Sequence, residues 1–160
     1  MKAKEKILVV SAGNSLMKDD GLGFVVLEEL KKLPFISNVH FFDVGTDIFQ
    51  LMNIQDHYDK IIILDAIKAG NEPGTIYRLP LENMESLNKN KSVHQIKLTE
   101  ALLLLKLTNE NFDKSEIIFY GIEPYDISLG EGLTAIVQKS IKYLVDLVYE
   151  EISYARSYIS

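Results

Sequence analysis

Two short runs of β-branched and leucine residues constrain the fold of this chain most. They are residues 7–10 and 61–64, and in neither run do polar residues alternate with apolar ones. A strand with apolar side chains on both faces is typical of a parallel sheet that helices cover on both sides. Between the two runs, apolar residues at helical spacing over 22–33 predict a helix. The chain is therefore predicted to have an α/β fold.

The other predicted elements complete one mostly parallel sheet. The turn Asn-Glu-Pro-Gly at 71–74 leaves too few residues for a crossover helix before the apolar run 75–79. A strand at 75–79 is therefore expected to be antiparallel to its neighbours. Short right-handed crossovers place the first and third strands side by side, with the second strand outside the first. These expectations define a three-layer α/β/α sandwich around a five-stranded sheet, with strands at 7–10, 39–44, 60–65, 75–79 and 116–121.

Length and composition limit the domain organisation and the partners. A chain of 160 residues is expected to form one domain, 1–152, followed by a frayed tail, 153–160. The net charge of −6 and the scattered basic residues predict that the protein binds no nucleic acid. No apolar stretch reaches the length of a membrane span, so no membrane partner is expected. The absence of cysteine excludes disulfides and is compatible with a reducing cytoplasm, where we expect a monomer.

Three carboxylates follow predicted strands. Asp19 and Asp20 come between the first strand and a helix, where either residue alone is expected to cap free N–H groups of the helix. Asp65 ends the apolar third strand, and a buried carboxylate there needs a cation or several N–H donors. Two roles of Asp65 are compatible with this position: capping of the following loop, and metal binding. Because the order of a parallel sheet switches beside its first strand, these acids are expected to border one crevice.

One histidine is expected to join them. Residues 80–91 are rich in asparagine and lysine and are predicted to form a loop, after which Ser92 and Gln95 fit a capping box. His94 then lies in the first turn of a helix, where the helix dipole favours a neutral ring that can bind a metal. A histidine packed near a helix start without a ligand is the alternative. Asp20, Asp65 and His94 together would form a partly open site for nickel, zinc or manganese.

The segment 13–23 carries a family resemblance. It reads Gly-Asn-Ser-Leu-Met-Lys-Asp-Asp-Gly-Leu-Gly and resembles the GNxLxxDDGxG signature of the nickel-iron hydrogenase maturation proteases. Further similarities occur in order along residues 6–148. They are Asp43-Val44-Gly45-Thr46, Asp65-Ala66, Pro73-Gly74-Thr75, Ser92-Val93-His94-Gln95, Gly121-Ile122-Glu123-Pro124 and Gly132-Leu133-Thr134. Two positions depart from the family pattern: Ser11 stands where glycine is usual, and Val44 interrupts the usual Asp-Gly-Gly-Thr.

The resemblance implies an endopeptidase with an α/β/α fold. Proteins of this family remove a C-terminal extension from the hydrogenase large-subunit precursor after nickel has been inserted. Asp20, Asp65 and His94 match the residues that contact nickel in the family and would also be catalytic. The nickel would arrive with the precursor and would not be tightly bound in the free protease.

The resemblance also implies roles around these three residues. Gly45 and Thr46 lie in a matching loop that would contact the substrate, with Asp43 beside the cleft. Asp19 or Asp43 would be the candidate assisting base, although solvated capping is the simpler role for each.

Two other functions share part of this pattern. A phosphoacceptor receiver domain also places acids after its first strand and at the end of its third. Here, however, the last strand leads into Gly121-Ile122-Glu123-Pro124, with no lysine for a phosphoryl oxygen. A non-catalytic nickel chaperone would use the same three side chains as the protease and remains an alternative.

Overall fold

The computed structural model of the chain describes residues 5–87 and 92–159. Its five strands are β1 (Ile7–Ala12), β2 (Val39–Gly45), β3 (Lys60–Ala66), β4 (Ile76–Pro80) and β5 (Glu116–Ile122). They form one sheet in the order β2-β1-β3-β5-β4. All neighbouring pairs are parallel except β4 with β5. The predicted central position of the first and third strands and the predicted antiparallel strand are confirmed.

Helices cover both faces of the sheet. They are α1 (Leu22–Lys31), α2 (Leu81–Met84), α3 (Val93–Thr108) and α4 (Ala135–Ile159), with 3₁₀ turns at Lys18–Gly21 and Ile48–Asn53. Alternate residues of β1 and β3 pack against α1 and α4 on one face, and the intervening residues pack against α2 and α3 on the other. The uninterrupted apolar runs are thus explained by a strand buried on both sides. None of the helices in the described ranges has both the length and the apolarity needed to cross a membrane.

Two boundaries differ from the predictions. The predicted loop 80–91 contains the short helix α2, whose Leu81 and Met84 are buried in the core one helical turn apart. Residues 88–91 of that loop lie outside the described residues. The backbone of α4 is helical as far as Ile159, so helix continues beyond the predicted domain end at 152. The fraying of the tail stays a prediction.

A cluster of hydrogen-bonded charges ties α4 to the sheet. Glu151 on α4 accepts hydrogen bonds from Lys60 Nζ at 3.0 Å and Arg78 Nε at 2.8 Å. It also accepts one from the Tyr120 hydroxyl. Burial alone would raise the pKa of Glu151, but the hydrogen bonds from Arg78, Tyr120 and Lys60 lower it to about 2.

This pKa shift predicts a stability that depends on pH. Because the pKa falls from an ordinary value of 4.5, ionised Glu151 stabilises the fold above that pH, and the contribution is lost as the pH falls toward 2. After allowance for solvent screening, Glu151→Gln is expected to lower the free energy of unfolding by about 1–2 kcal/mol at about pH 6. The difference from the wild type should shrink at about pH 2.5. Urea denaturation of both proteins at the two pH values measures the difference in unfolding free energy. A difference that does not change with pH would contradict the expectation.

Candidate active site

The side chains of Asp20, Asp65 and His94 meet at the carboxyl end of the sheet. Asp20 lies in the 3₁₀ turn after β1, Asp65 near the end of β3, and His94 in the first turn of α3. One potential ligand atom of each residue lies within 4.8 Å of the other two. His94 Nε2 is 3.2 Å from Asp65 Oδ2. The structure therefore brings together the three residues that the sequence analysis selected, beside β1 where the strand order switches.

Burial and charge change the protonation of this group. Asp65 is 1% exposed, and burial raises its pKa to about 6, although the hydrogen bond with His94 opposes that shift. The same hydrogen bond raises the pKa of His94. Contact with Asp65 therefore favours the charged ring, whereas the sequence led us to expect that the helix dipole favours the neutral one. A proton on either side chain would compete with a cation that binds between them.

Gly13 allows the loop after β1 to approach both acids. Its φ is +118°, and a Cβ atom there would lie 2.1 Å from the Asp20 carbonyl oxygen and 3.1 Å from Asp65 Oδ1. The next residue, Asn14, donates its backbone N–H to Asp20 Oδ2 at 2.8 Å. Only glycine fits this close approach, so the Gly-Asn pair sets the position of the Asp20 carboxylate.

Gln95 connects the helix of His94 to the segment that follows Asp65. Its Oε1 accepts a hydrogen bond from Lys68 N at 2.8 Å, and its Nε2 donates to Lys68 O at 3.3 Å. The predicted cap of α3 is present, since Ser92 Oγ accepts from Gln95 N at 3.1 Å. The Gln95 side chain, however, bonds to Lys68 and does not accept a hydrogen bond from the Ser92 N–H, as a capping box requires. This inter-loop contact has no signal in residue spacing, and sequence reasoning missed it.

Asp19 is placed away from the three-residue group. Its side chain is completely buried, and its carboxylate accepts hydrogen bonds from the backbone N–H groups of Tyr125, Asp126 and Thr134 and from the Thr134 hydroxyl. The expectation of a solvated helix cap is wrong for Asp19, because the N-cap residue of α1 is Gly21 and no side chain caps the helix. The hydrogen bonds of Asp19 instead hold the loop between β5 and α4 against the turn that carries Asp20.

Asp43 organises the loop after β2. Its Oδ1 accepts hydrogen bonds from Ser11 Oγ at 2.8 Å and from Gly45 N at 3.0 Å. Ser11, which stands where the family pattern has glycine, is fully buried and pairs in register with Asp43. Gly45 and Thr46 border a small cavity next to His94. Asp43 itself is outside the group formed by Asp20, Asp65 and His94 among the described residues.

The donor set suits a divalent cation of intermediate hardness. Two carboxylate oxygens and one imidazole nitrogen are ligands that nickel and zinc accept, and three protein donors leave coordination positions open for a substrate. Asp65 is buried while Asp20 and His94 are partly exposed, so the group opens toward solvent on one side. Fold and site together define an α/β/α protein with three potential metal ligands, partly open to solvent, at the switch point of its sheet.

Comparisons with known proteins agree with this description. A family model described as hydrogenase maturation protease matches residues 24–151, a range that includes Asp65 and His94 and begins after Asp20. The hydrogenase 2 maturation protease of Escherichia coli is 33% identical over 146 residues, covering 89% of this chain and 88% of that protein. A putative hydrogenase maturation protease of Methanocaldococcus jannaschii is 30% identical over 155 residues, covering 93% and 97%.

Solved structures show the same relationship. The hydrogenase maturating endopeptidase HybD from E. coli superposes with a TM-score of 0.81 at 31% identity, covering 94% of this chain and 93% of that one. The [NiFe] hydrogenase maturation protease HybD from Thermococcus kodakarensis gives a TM-score of 0.79 at 31% identity, covering 92% and 99%. The chain belongs to the hydrogenase maturation protease family, and it is a peptidase.

Proposed function

We propose that this protein removes a C-terminal extension from a nickel-iron hydrogenase large-subunit precursor, and that it recognises nickel already inserted in that precursor. The observation that carries the proposal is the group of three donor atoms, one each from Asp20, Asp65 and His94, within 4.8 Å of one another. The names of the relatives support the maturation role. Cytoplasmic location and a monomeric state stay predictions of the sequence.

In this proposal nickel belongs to the substrate. Asp20, Asp65 and His94 would supply some of its ligands and the precursor the others, so the cleavable bond would be held at a fixed distance from the site. Positioning of this kind converts an encounter between two molecules into a reaction within one complex, which lowers the barrier. Protons on His94 or Asp65 would compete with nickel, because both ligands bind metal in their deprotonated forms.

The residue that follows β5 is evidence against a receiver domain. Glu123 stands where a receiver needs a lysine, and its carboxylate accepts hydrogen bonds from the backbone N–H groups of Ala69 and Gly70 and from the Tyr77 hydroxyl. A carboxylate at this place would repel a phosphoryl group on Asp65. Labelling of Asp65 by acetyl phosphate would nevertheless support the receiver and contradict the protease.

The proposal predicts cleavage that depends on nickel. Incubation with a nickel-loaded large-subunit precursor should produce one shortened large subunit and one C-terminal peptide, both detectable by mass spectrometry. The same precursor without nickel should stay intact, because the recognition element is missing. Transfer of nickel without cleavage would identify a chaperone and contradict the protease. Equal cleavage of both precursors would contradict only the recognition of nickel and would leave the protease activity standing.

A further inference from the structure

A small cavity opens beside His94. It has a volume of about 170 Å³ and lies between the end of β1, the loop and 3₁₀ turn after β2, and α3. His94 forms part of its wall. Because His94 also belongs to the three-residue group, the cavity and the candidate active site share one side chain.

The inner wall of the cavity is apolar, and the exposed side chains of Thr46, Asp47 and Lys97 line the remainder. Ala12, Ile48, Leu98 and Ala101 line the inner wall, and each of them is at most 8% exposed. Phe49 also lines the cavity and is 46% exposed, which places an aromatic ring where the cavity meets solvent. An exposed aromatic side chain beside a buried apolar wall can cover an apolar group of a ligand, and removal of that apolar surface from water favours binding.

The size of the cavity limits what can enter. An apolar cavity of about 150 Å³ in another protein binds one benzene molecule, so about 170 Å³ accommodates one apolar side chain up to the size of a phenylalanine ring. It is too small for a helix or a folded domain. The occupant that fits is a single aliphatic or aromatic side chain from an extended peptide.

The loop after β2 leaves room for such a peptide. Gly45 lines the cavity with a φ of +57°, and a Cβ atom added there would have no neighbour within 4 Å. The space next to its backbone is therefore open. The Gly45 N–H and carbonyl are already bonded to Asp43 and Gly13, so the loop has a fixed shape before a substrate arrives.

We propose that this cavity is a specificity pocket that receives a large apolar side chain of the precursor, from a residue directly beside the cleaved bond. The inference rests on the proposed function, because the cavity shares His94 with the group at which the precursor would be held. Burial of that side chain among apolar walls would fix the register of the segment, and it would favour precursors with a large apolar residue there.

The test uses a set of nickel-loaded precursors that carry Gly, Ala, Val, Met or Phe on either side of the cut. At one of the two positions, the wild type should cleave the precursor with the preferred large apolar residue at least about tenfold faster than the Gly precursor, measured as kcat/KM. Ala101→Leu fills the cavity from α3 and should remove this preference while cleavage of the Gly precursor continues. Equal kcat/KM values for all residues at both positions would overturn the pocket and leave the proposed function standing.

A second pair of variants keeps the test valid if Ala101→Leu fails to fold. Phe49→Ala removes the exposed ring at the opening and should reduce the preference for large residues. Met52→Ala is the matched control, because Met52 is 55% exposed on the same 3₁₀ turn and does not line the cavity. Equal effects of the two substitutions would overturn the pocket. Failure of the wild type to cleave any precursor would overturn the proposed function and the pocket with it.

Discussion

Replacement of His94 by alanine is expected to reduce cleavage of the nickel-loaded precursor by at least about 100-fold. His94 supplies the single nitrogen donor of the three-residue group. Loss of a residue that merely supports a metal ligand commonly reduces affinity or activity by about 10- to 100-fold, so loss of a ligand should have a larger effect. Mass spectrometry of the precursor over time measures the rate.

The same substitution is expected to leave the fold intact. The His94 side chain is 35% exposed, so little apolar burial is lost. Asp65 loses its partner, but burial raises the pKa of Asp65 and His94 opposes that shift, so without His94 the carboxyl group takes up a proton more readily instead of remaining as a buried charge. The expected loss in unfolding free energy is about 1 kcal/mol.

His57→Ala is the matched control for His94→Ala. His57 is exposed, precedes β3 and therefore lies at the opposite end of the sheet, where its Nδ1 is 3.1 Å from the Asn111 carbonyl oxygen. Its replacement should change neither cleavage nor the melting temperature. Full cleavage activity in His94→Ala would remove His94 from the site, and an unfolded His94→Ala protein would contradict the stability argument.

The sheet could be predicted because its signals are local. Residues 7–10 and 61–64 are apolar without interruption, and the strands that contain them are buried on both faces. The turn at 71–74 left only one orientation for β4. The short helix α2 was missed, because four residues with two buried side chains give too little periodicity to separate a helix from a loop.

The sequence predicted which residues form the candidate site, but it did not predict the hydrogen bonds that hold the surrounding loops in place. Asp20 and Asp65 follow from the rule that polar residues after parallel strands meet at one edge, and His94 was selected by its place in the first turn of a helix. The partners of Asp19 are 106 to 115 residues away in the chain, and no spacing rule identifies them. The bond between Gln95 and Lys68 likewise spans 27 residues and depends on how α3 packs beside β3.

Asp19 and Asp20 show how neighbours in sequence acquire different roles. Both lie in the 3₁₀ turn Lys18–Gly21, where successive side chains point about 120° apart because the helix has three residues per turn. Asp19 therefore faces the loop between β5 and α4, and Asp20 faces Asp65 and His94. One acid is used for stability, and the other is available for a ligand.

Asp19→Asn is therefore expected to lower the free energy of unfolding by about 3–5 kcal/mol, a large part of the stability of a typical domain. The asparagine NH₂ group must face the N–H groups of Tyr125 and Asp126 or that of Thr134, because the Asp19 oxygens accept hydrogen bonds on both sides. At least one charge-assisted bond is lost, and a buried donor is left without an acceptor. Urea denaturation at neutral pH measures the change.

The matched control for Asp19→Asn is Asp20→Asn, one residue further along the same turn. Asp20 is partly exposed and accepts a bond from Asn14 N, and its charge raises the pKa of the Asp65 carboxyl. Its neutralisation also relieves repulsion, so the stability should change by less than about 1 kcal/mol, while nickel-dependent cleavage is lost. Equal losses of stability in the two variants would contradict the division of roles, because the two carboxylates would then support the fold alike.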